Sequence, residues 1–490
     1  MVTYIKNKKR GLRSMAMETL EQNTIELEKQ TDGKKLYSNA QLLNFCLGFF
    51  GLQFAWQMRI ILSGPVTEGL GASPFIFGLI WLAGPFTGMI VQPIIGAMSD
   101  NLNTKFGKRR PFLLIGALLA SLALWAFPNS ANIVNFFGSS LGQNLPVWSA
   151  LLFAAITIWV IDGSVNAAQG PYRAMIPDNM PQEQHAIANS FLSFAIGLGS
   201  VVAAGTAPLL KWAFDYQMSI PAQFIMASLA FTLATIWTCS TTKELVSKPA
   251  QVENPETAEN NSGFWNALVG FFKLSPDVSK ICIMQLFTWV GVMSMFIFFT
   301  QFAIHNVFAV PDLTNATEAI KKSFENAVNQ GTNFASISFA IFNLICFVVS
   351  LPIGILSSKL GNKNVHAFSL LVMGLAFLAM TFTTNVKIVG LCMAVAGIGW
   401  ASILALPFAM VSKYIKKGTE GSVMGIFNIF IAGPQVLVCT LLAWFISQCP
   451  TLTKDNYHWE YAFIIGAVSL FAAAVFSMMI NEKATVTENA

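Results

Sequence analysis

The sequence predicts an all-α membrane protein, with twelve transmembrane helices in two six-helix halves and both termini cytoplasmic. Three observations carry this. Only 11% of the 490 residues are charged while 54% are hydrophobic, and the mean hydropathy is +0.58. Soluble domains carry about 25% charged residues, so this chain cannot cover itself with water-compatible groups. Apolar runs of bilayer length, about 20 residues each, recur twelve times. Lysine and arginine fall on alternate connections between them.

Taken in order, residues 1–40 form a polar tail, "YIKNKKRGLRS" followed by "ETLEQNTIELEKQTDGKK". It lacks the apolar stretch of a secretory leader. The first half occupies 41–240, with spans at 41–65, 73–97, 111–128, 147–170, 185–209 and 221–240. Residues 241–278 are polar in their middle and read as a cytoplasmic linker. The second half occupies 279–480, with spans at 279–303, 332–356, 366–384, 386–411, 421–446 and 460–480, and 481–490 form a cytoplasmic tail. Backbone N–H and C=O groups cannot be left unpaired in lipid, so each run is a helix. The longest outer loop, 304–331, is expected to hold a short amphipathic helix, and "NAT" at 315–317 fits a glycosylation sequon.

The cations set orientation. With the N-terminus inside, Lys211, Lys321, Lys322, Lys387 and Lys454 are the outer ones and Arg59 lies within a helix. All others of the 29 fall on inner segments, as expected for cytoplasmic loops. The net charge of +5 therefore reflects topology and points to no nucleic-acid partner. Seven cysteines, all in or beside apolar segments, and four scattered histidines make no ligand set. No metal, no cofactor and no enzymatic nucleophile–base set is expected.

Charge is densest at 96–112, "GAMSDNLNTKFGKRRPF", between two apolar spans. The halves also echo each other. "PIIGAMSD" (93–100) precedes this loop, and "PIGILSSKLGNKN" (352–364) stands in the matching place after helix 8; "GPYRAM" after helix 4 resembles "LPFAM" in helix 10. Two parallel six-helix repeats, and a loop of form G-x-x-x-D…G-[KR]-[KR] between helices 2 and 3, resemble the major facilitator superfamily, which implies a site near the membrane midplane between the halves. The loop residues are Gly96, Asp100, Gly107, Lys108 and Arg109, followed by Arg110. Together with Arg173 and Asp178 they are expected to form a cytoplasmic gate that latches the two halves in one state. Plain topology would also place cations there.

The resemblance is closer in three stretches. Residues 52–112 look like the first two helices and loop of the plant-type sucrose transporters and their relatives. "WVIDGSVNAAQGPYRAMIPD" (159–178) looks like helix 4 of that family, and "GIFNIFIAGPQVLV" (425–438) resembles its helix 11. These relatives sit with the glycoside–pentoside–hexuronide:cation symporters. The resemblance implies a disaccharide carrier, usually proton-coupled, with the helix-4 aspartate as coupling residue. Two departures stand out. Arg59 occupies a helix-1 position that tends to be uncharged, and Phe299 and Gln301 replace acidic residues at the end of helix 7.

Ionisable groups inside a bilayer are costly and usually functional. Arg59 and Asp162 lie well inside helices 1 and 4, and opposite signs allow them to pair. Asp162, Asn166, Gln169 and Arg173 are spaced by 4, 3 and 4, which places them on one helix face. Proton coupling is assigned to Asp162 with Arg59; a static bridge is the plainer alternative. Substrate contact is assigned to Gln53, Trp56 and Gln57, to Asn166 and Gln169, to Asn189, to Gln285 and Trp289, and to Asn428 and Gln435, with Ser193 and Asn343 as further candidates. The alternative for each amide is interhelical glue. Trp81, Trp148 and Trp459, near helix ends, read as interfacial anchors. The expected function is proton-coupled symport of a neutral disaccharide of the maltose or sucrose type, by a monomer in the cytoplasmic membrane. Sodium-coupled or uncoupled transport, and a non-transporting sugar sensor, are the alternatives.

Overall fold

The computed structural model describes residues 36–102, 104–140, 142, 145–146, 148–242, 244, 272, 275–310, 317–414, 420–451 and 457–481. Twelve helices among them are long and apolar enough to cross a membrane. In chain order they are α1 (Asn39–Gly69), α2 (Pro74–Asn101), α3 (Arg110–Ser140), α4 (Trp148–Asn179), α5 (Glu183–Phe214) and α6 (Ile220–Thr241) in the first half. The second half holds α7 (Pro276–Val307), α8 (Glu318–Leu360), α9 (Asn362–Met380), α10 (Val386–Ser412), α11 (Ile426–Ser447) and α12 (Glu460–Met478). The N-terminal tail, most of the linker, the sequon asparagine and the C-terminal tail lie outside the described residues.

Many helix starts are written in the sequence. Ser38, Ser73, Ser219, Ser275, Thr317 and Asn385 each cap a helix by accepting a backbone N–H of its first turn. Such side chains satisfy donors that have no partner within the helix. Three helices run past their expected ends. α4 continues to Asn179 through Pro171 and Pro177. α3 passes through a 3-10 turn at Phe127–Asn129 into Ser130–Ser140. α8 begins at Glu318, so the amphipathic piece expected in the outer loop is its own first turns. Nothing between the Thr317 cap and Pro352 interrupts its hydrogen-bond ladder. Among the described residues two π-turns occur, Ala303–Val307 ending α7 and Val438–Leu442 inside α11, both in the second half.

Packing repeats with a shift of six helices. α1 packs on α5 and α6, α2 on α4, and α3 on α4 and α6. Likewise α7 packs on α11 and α12, α8 on α10, and α9 on α10 and α12. Between the halves, α5 meets α8 and α11 meets α2, which is one contact moved by six positions. The halves are joined at the end where Glu68 of α1 meets Gln301 and His305 of α7. There α2 also crosses α11 closely: a Cβ added at Gly78 would lie 2.2 Å from the Cys439 carbonyl oxygen. Toward the other end the space between the halves stays open along α2, past Pro93 and Gly96.

The Gly78 crossing gives a direct test. Gly78→Val must push α2 from α11. With the other cysteines replaced, buried Cys439 is then expected to react with maleimide several-fold faster. Unchanged protection would show that the crossing is not tight.

Candidate functional site

A cavity of about 340 Å³ lies between the halves, walled by α1, α2 and α4 on one side and α7, α10 and α11 on the other. This is the size of a small-molecule site. Each helix except α10, which supplies Trp400 alone, contributes a stripe at three- or four-residue spacing. Gln53, Trp56 and Arg59 come from α1; Asp162, Asn166 and Gln169 from α4; Trp289 from α7; Asn428 and Gln435 from α11. These nine expected residues meet in one cavity.

The other candidates do not line it. Gln57 is buried and its Oε1 accepts from Asn343 Nδ2 at 3.3 Å, joining α1 to α8 across the halves. Gln285 is fully buried one turn from Trp289, with neither amide atom paired. Asn189 and Ser193 are exposed on α5 and donate to their own helix, at His185 O and Asn189 O. Arg173 lies a turn beyond the α4 stripe, its guanidinium 5.5 Å from the Phe49 ring centre. It makes no ion pair with the loop residues it was grouped with.

At the centre of the polar wall, Arg59 Nη2 lies 2.5 Å from Asp162 Oδ2, with both side chains 2% exposed. The guanidinium sits 4.2 Å over the Trp81 ring, and Trp81 Nε1 donates to Ser63 Oγ at 3.1 Å. An aromatic ring face attracts a cation, so Arg59 is held from two sides. Asp162 and Arg59 are the one acid and the one base in the cavity lining. Toward the open end, Gln92 Nε2 donates to Asn166 Oδ1 at 2.6 Å and Gln169 Oε1 at 3.2 Å, and Asn166 Nδ2 donates to Thr87 Oγ1 at 2.9 Å. The opposite wall is aromatic. Trp289 and Trp400 are edge-to-face at 5.9 Å, and Phe296 meets Trp400 at 5.2 Å and Trp56 at 6.2 Å. The Trp289 indole N–H is buried without a partner.

Sequence reasoning missed Trp81, Gln92 and Trp400. Gln92 carried a signal: it is a lone amide within "GMIVQPII". Trp81 is not an interfacial anchor: it lines the cavity under the Arg59 guanidinium and is 2% exposed. Trp459, also read as an anchor, is 3% exposed and packs on His305 and Phe298. Trp148 is exposed.

The basic loop forms a separate cluster. Arg109 is buried; its Nε donates to Asp178 Oδ2 at 2.8 Å, its Nη2 to Asp100 Oδ1 at 2.5 Å, and its Nη1 to Ser99 Oγ. Burial works against the Arg109 charge, but Asp178 and Asp100 outweigh it and raise its pKa further. Lys108 Nζ stands 3.1 Å from Asp178 Oδ1. Glu244, which the sequence did not single out, accepts the backbone N–H groups of Lys108, Arg109 and Arg110. It thus caps the positive end of α3. Gly107 makes this possible: its φ is +100°, and a Cβ there would meet the Glu244 carboxylate at 2.5 Å. Among the described residues, every partner in this cluster comes from the first half or the start of the linker. The expected latch between halves is, in this conformation, a brace within one half.

Removing one member of a buried ion pair strands the other charge, which costs about 3–5 kcal/mol. Arg59→Met is expected to lower unfolding stability in detergent by that order. Adding Asp162→Leu should restore most of it. A double variant as unstable as Arg59→Met alone would show that the pair is not the cause.

Residues 52–311 match a family model described as MFS/sugar transport protein, and residues 319–489 match the Major Facilitator Superfamily model. Among curated proteins, the chain is 25% identical to the sucrose transport protein SUT2 of Oryza sativa subsp. indica, over 79% of this chain and 83% of that one. It is 24% identical to the general alpha-glucoside permease of Schizosaccharomyces pombe, over 89% and 92%. Among solved structures, the nucleoside transporter NupG superposes with a TM-score of 0.62 at 14% identity, over 90% of this chain and 99% of that one. A D-xylose–proton symporter does so at 0.58 and 15%, over 90% and 98%. These structural likenesses show the fold alone; the family models and the curated relatives are those of transporters, not of enzymes. The chain belongs to the major facilitator superfamily and is one of its sugar transport proteins.

Proposed function

We propose that this protein imports a neutral disaccharide of the maltose or sucrose type together with protons, by alternating access. The observation that carries the reading is the Arg59–Asp162 pair in the wall of a cavity otherwise lined by amides and tryptophans. The wall has no net charge, which suits an uncharged polyol. Gln92, Asn166 and Gln169 offer hydrogen-bonding groups, and Trp56, Trp289 and Trp400 offer flat apolar faces for a sugar ring. The sucrose and alpha-glucoside relatives support the substrate class.

In the proposed cycle, ionised Asp162 pairs with Arg59. A proton on Asp162 dissolves the ion pair and leaves the Arg59 guanidinium to donate to a sugar hydroxyl. The halves rock, proton and sugar leave, and the pair re-forms. A sodium site needs several oxygen ligands; here the single cavity carboxylate already has a cation beside it, which favours a proton. In this reading the basic 2–3 loop and both termini face the cytoplasm, the protein works as a monomer in the cytoplasmic membrane, and the conformation described is open inward.

Uptake of labelled maltose and sucrose into proteoliposomes tests this. An inward proton gradient is expected to drive accumulation and a sodium gradient to have no effect. Asp162→Asn should still exchange sugar at equilibrium but no longer concentrate it. Accumulation by Asp162→Asn, or sodium-driven uptake, would overturn proton coupling. Sugar binding without any flux would identify a sensor.

A further inference from the structure

A second ionisable pair lies at the end where the halves are joined. His305 Nε2 is 2.5 Å from Glu68 Oε1, and Gln301 Nε2 donates to the other oxygen of the same carboxylate. Glu68 ends α1 of the first half; Gln301 and His305 belong to the last turns of α7 in the second. The His305 side chain is 2% exposed and that of Glu68 26%. Neither lines the cavity.

We infer that Glu68 and His305 form a second proton-binding site, distinct from Asp162, which locks the ends of α1 and α7 together when a proton occupies it. The inference rests on the alternating-access reading above. At this distance the two groups make an ion pair only while they hold one proton between them. Without it, a carboxylate anion faces a neutral ring that water does not reach. Attraction between opposite charges is several-fold stronger near protein than in bulk water. Here it acts across the two halves, so it exists only while this end is closed.

The surroundings leave His305 one acidic partner. Glu460, at the start of α12, is the other acid nearby. Its oxygens are taken by Asn306 Nδ2 at 2.6 Å and His458 Nδ1 at 2.7 Å. The Trp459 ring covers His305 at 5.8 Å, and α8 contributes uncharged Gly331 against Ile304. Glu68 is thus the titratable group shown in contact with it among the described residues, with Glu460 and His458 paired beside it. The sign follows. The attraction is present while the pair holds its proton and is lost when that proton leaves. Acid on this side strengthens closure, so the proton gradient that loads Asp162 also seals the gate behind the cargo.

The test places spin labels on the full chain in nanodiscs, in a Cys449→Ser background. Tyr216→Cys, in the exposed turn between α5 and α6, and Thr384→Cys, exposed between α9 and α10, report separation of the halves at this end. Distance distributions are read from pH 5 to pH 8. The parent is expected to shift several-fold toward the short distance in acid. In His305→Gln and Glu68→Gln the ratio should ignore pH, while Asp162→Asn should keep the shift. An equal shift in His305→Gln overturns the inference, and so does a shift lost only in Asp162→Asn. One unchanging distance in every variant would overturn alternating access and this inference with it.

Discussion

Two opposite charges meeting inside a membrane constrain nearly everything around them. Neither Arg59 nor Asp162 is tolerable alone at that depth, and each is placed by a different helix. α1 and α4 must therefore stay in register while the protein folds. The pair also dictates what else the cavity can hold. Its charges cancel, so the remaining wall is free to be built from amides and rings. Trp81 covers the exposed face of the guanidinium, which keeps the cation from drifting into the open space.

The span pattern was legible because lipid enforces it: length, hydropathy and loop charge each follow from a single solvent boundary. Span ends were less legible. The ends of α4 and α8 run beyond the apolar stretch, where only capping and an unbroken hydrogen-bond ladder decide. In the site, stripes at helical spacing identified Asp162, Asn166 and Gln169, and the same logic found residues on α1 and α11. It misplaced Asn189, Gln57 and Gln285, because periodicity names a polar face without saying what that face meets. Trp81 shows the converse. An indole near a helix end looks like a membrane anchor unless its neighbours are known.

Glu244 illustrates a further limit. A lone acid after α6 is unremarkable in the sequence, yet it receives three consecutive backbone N–H groups from the 2–3 loop. The loop needs Gly107 to curl around that carboxylate. Its cations then reach Asp100 and Asp178, so α2, α3, α4 and α6 share one anchorage. The second half has a looser counterpart: Lys363 Nζ reaches the carbonyls of Met478 and Ile480 at the end of α12.

Both π-turns fall in that second half, one ending α7 and one inside α11. A π-turn holds an extra residue that a helix can shed by sliding its backbone partners by one place. Among the described residues the first half holds no such turn. It carries the ion pair and Gln92, Asn166 and Gln169 on helices without one. The second carries Asn428 and Gln435 on α11, just ahead of its π-turn. A one-residue slide at Val438–Leu442 would turn those two amides relative to the cavity, while Arg59 and Asp162 keep their spacing.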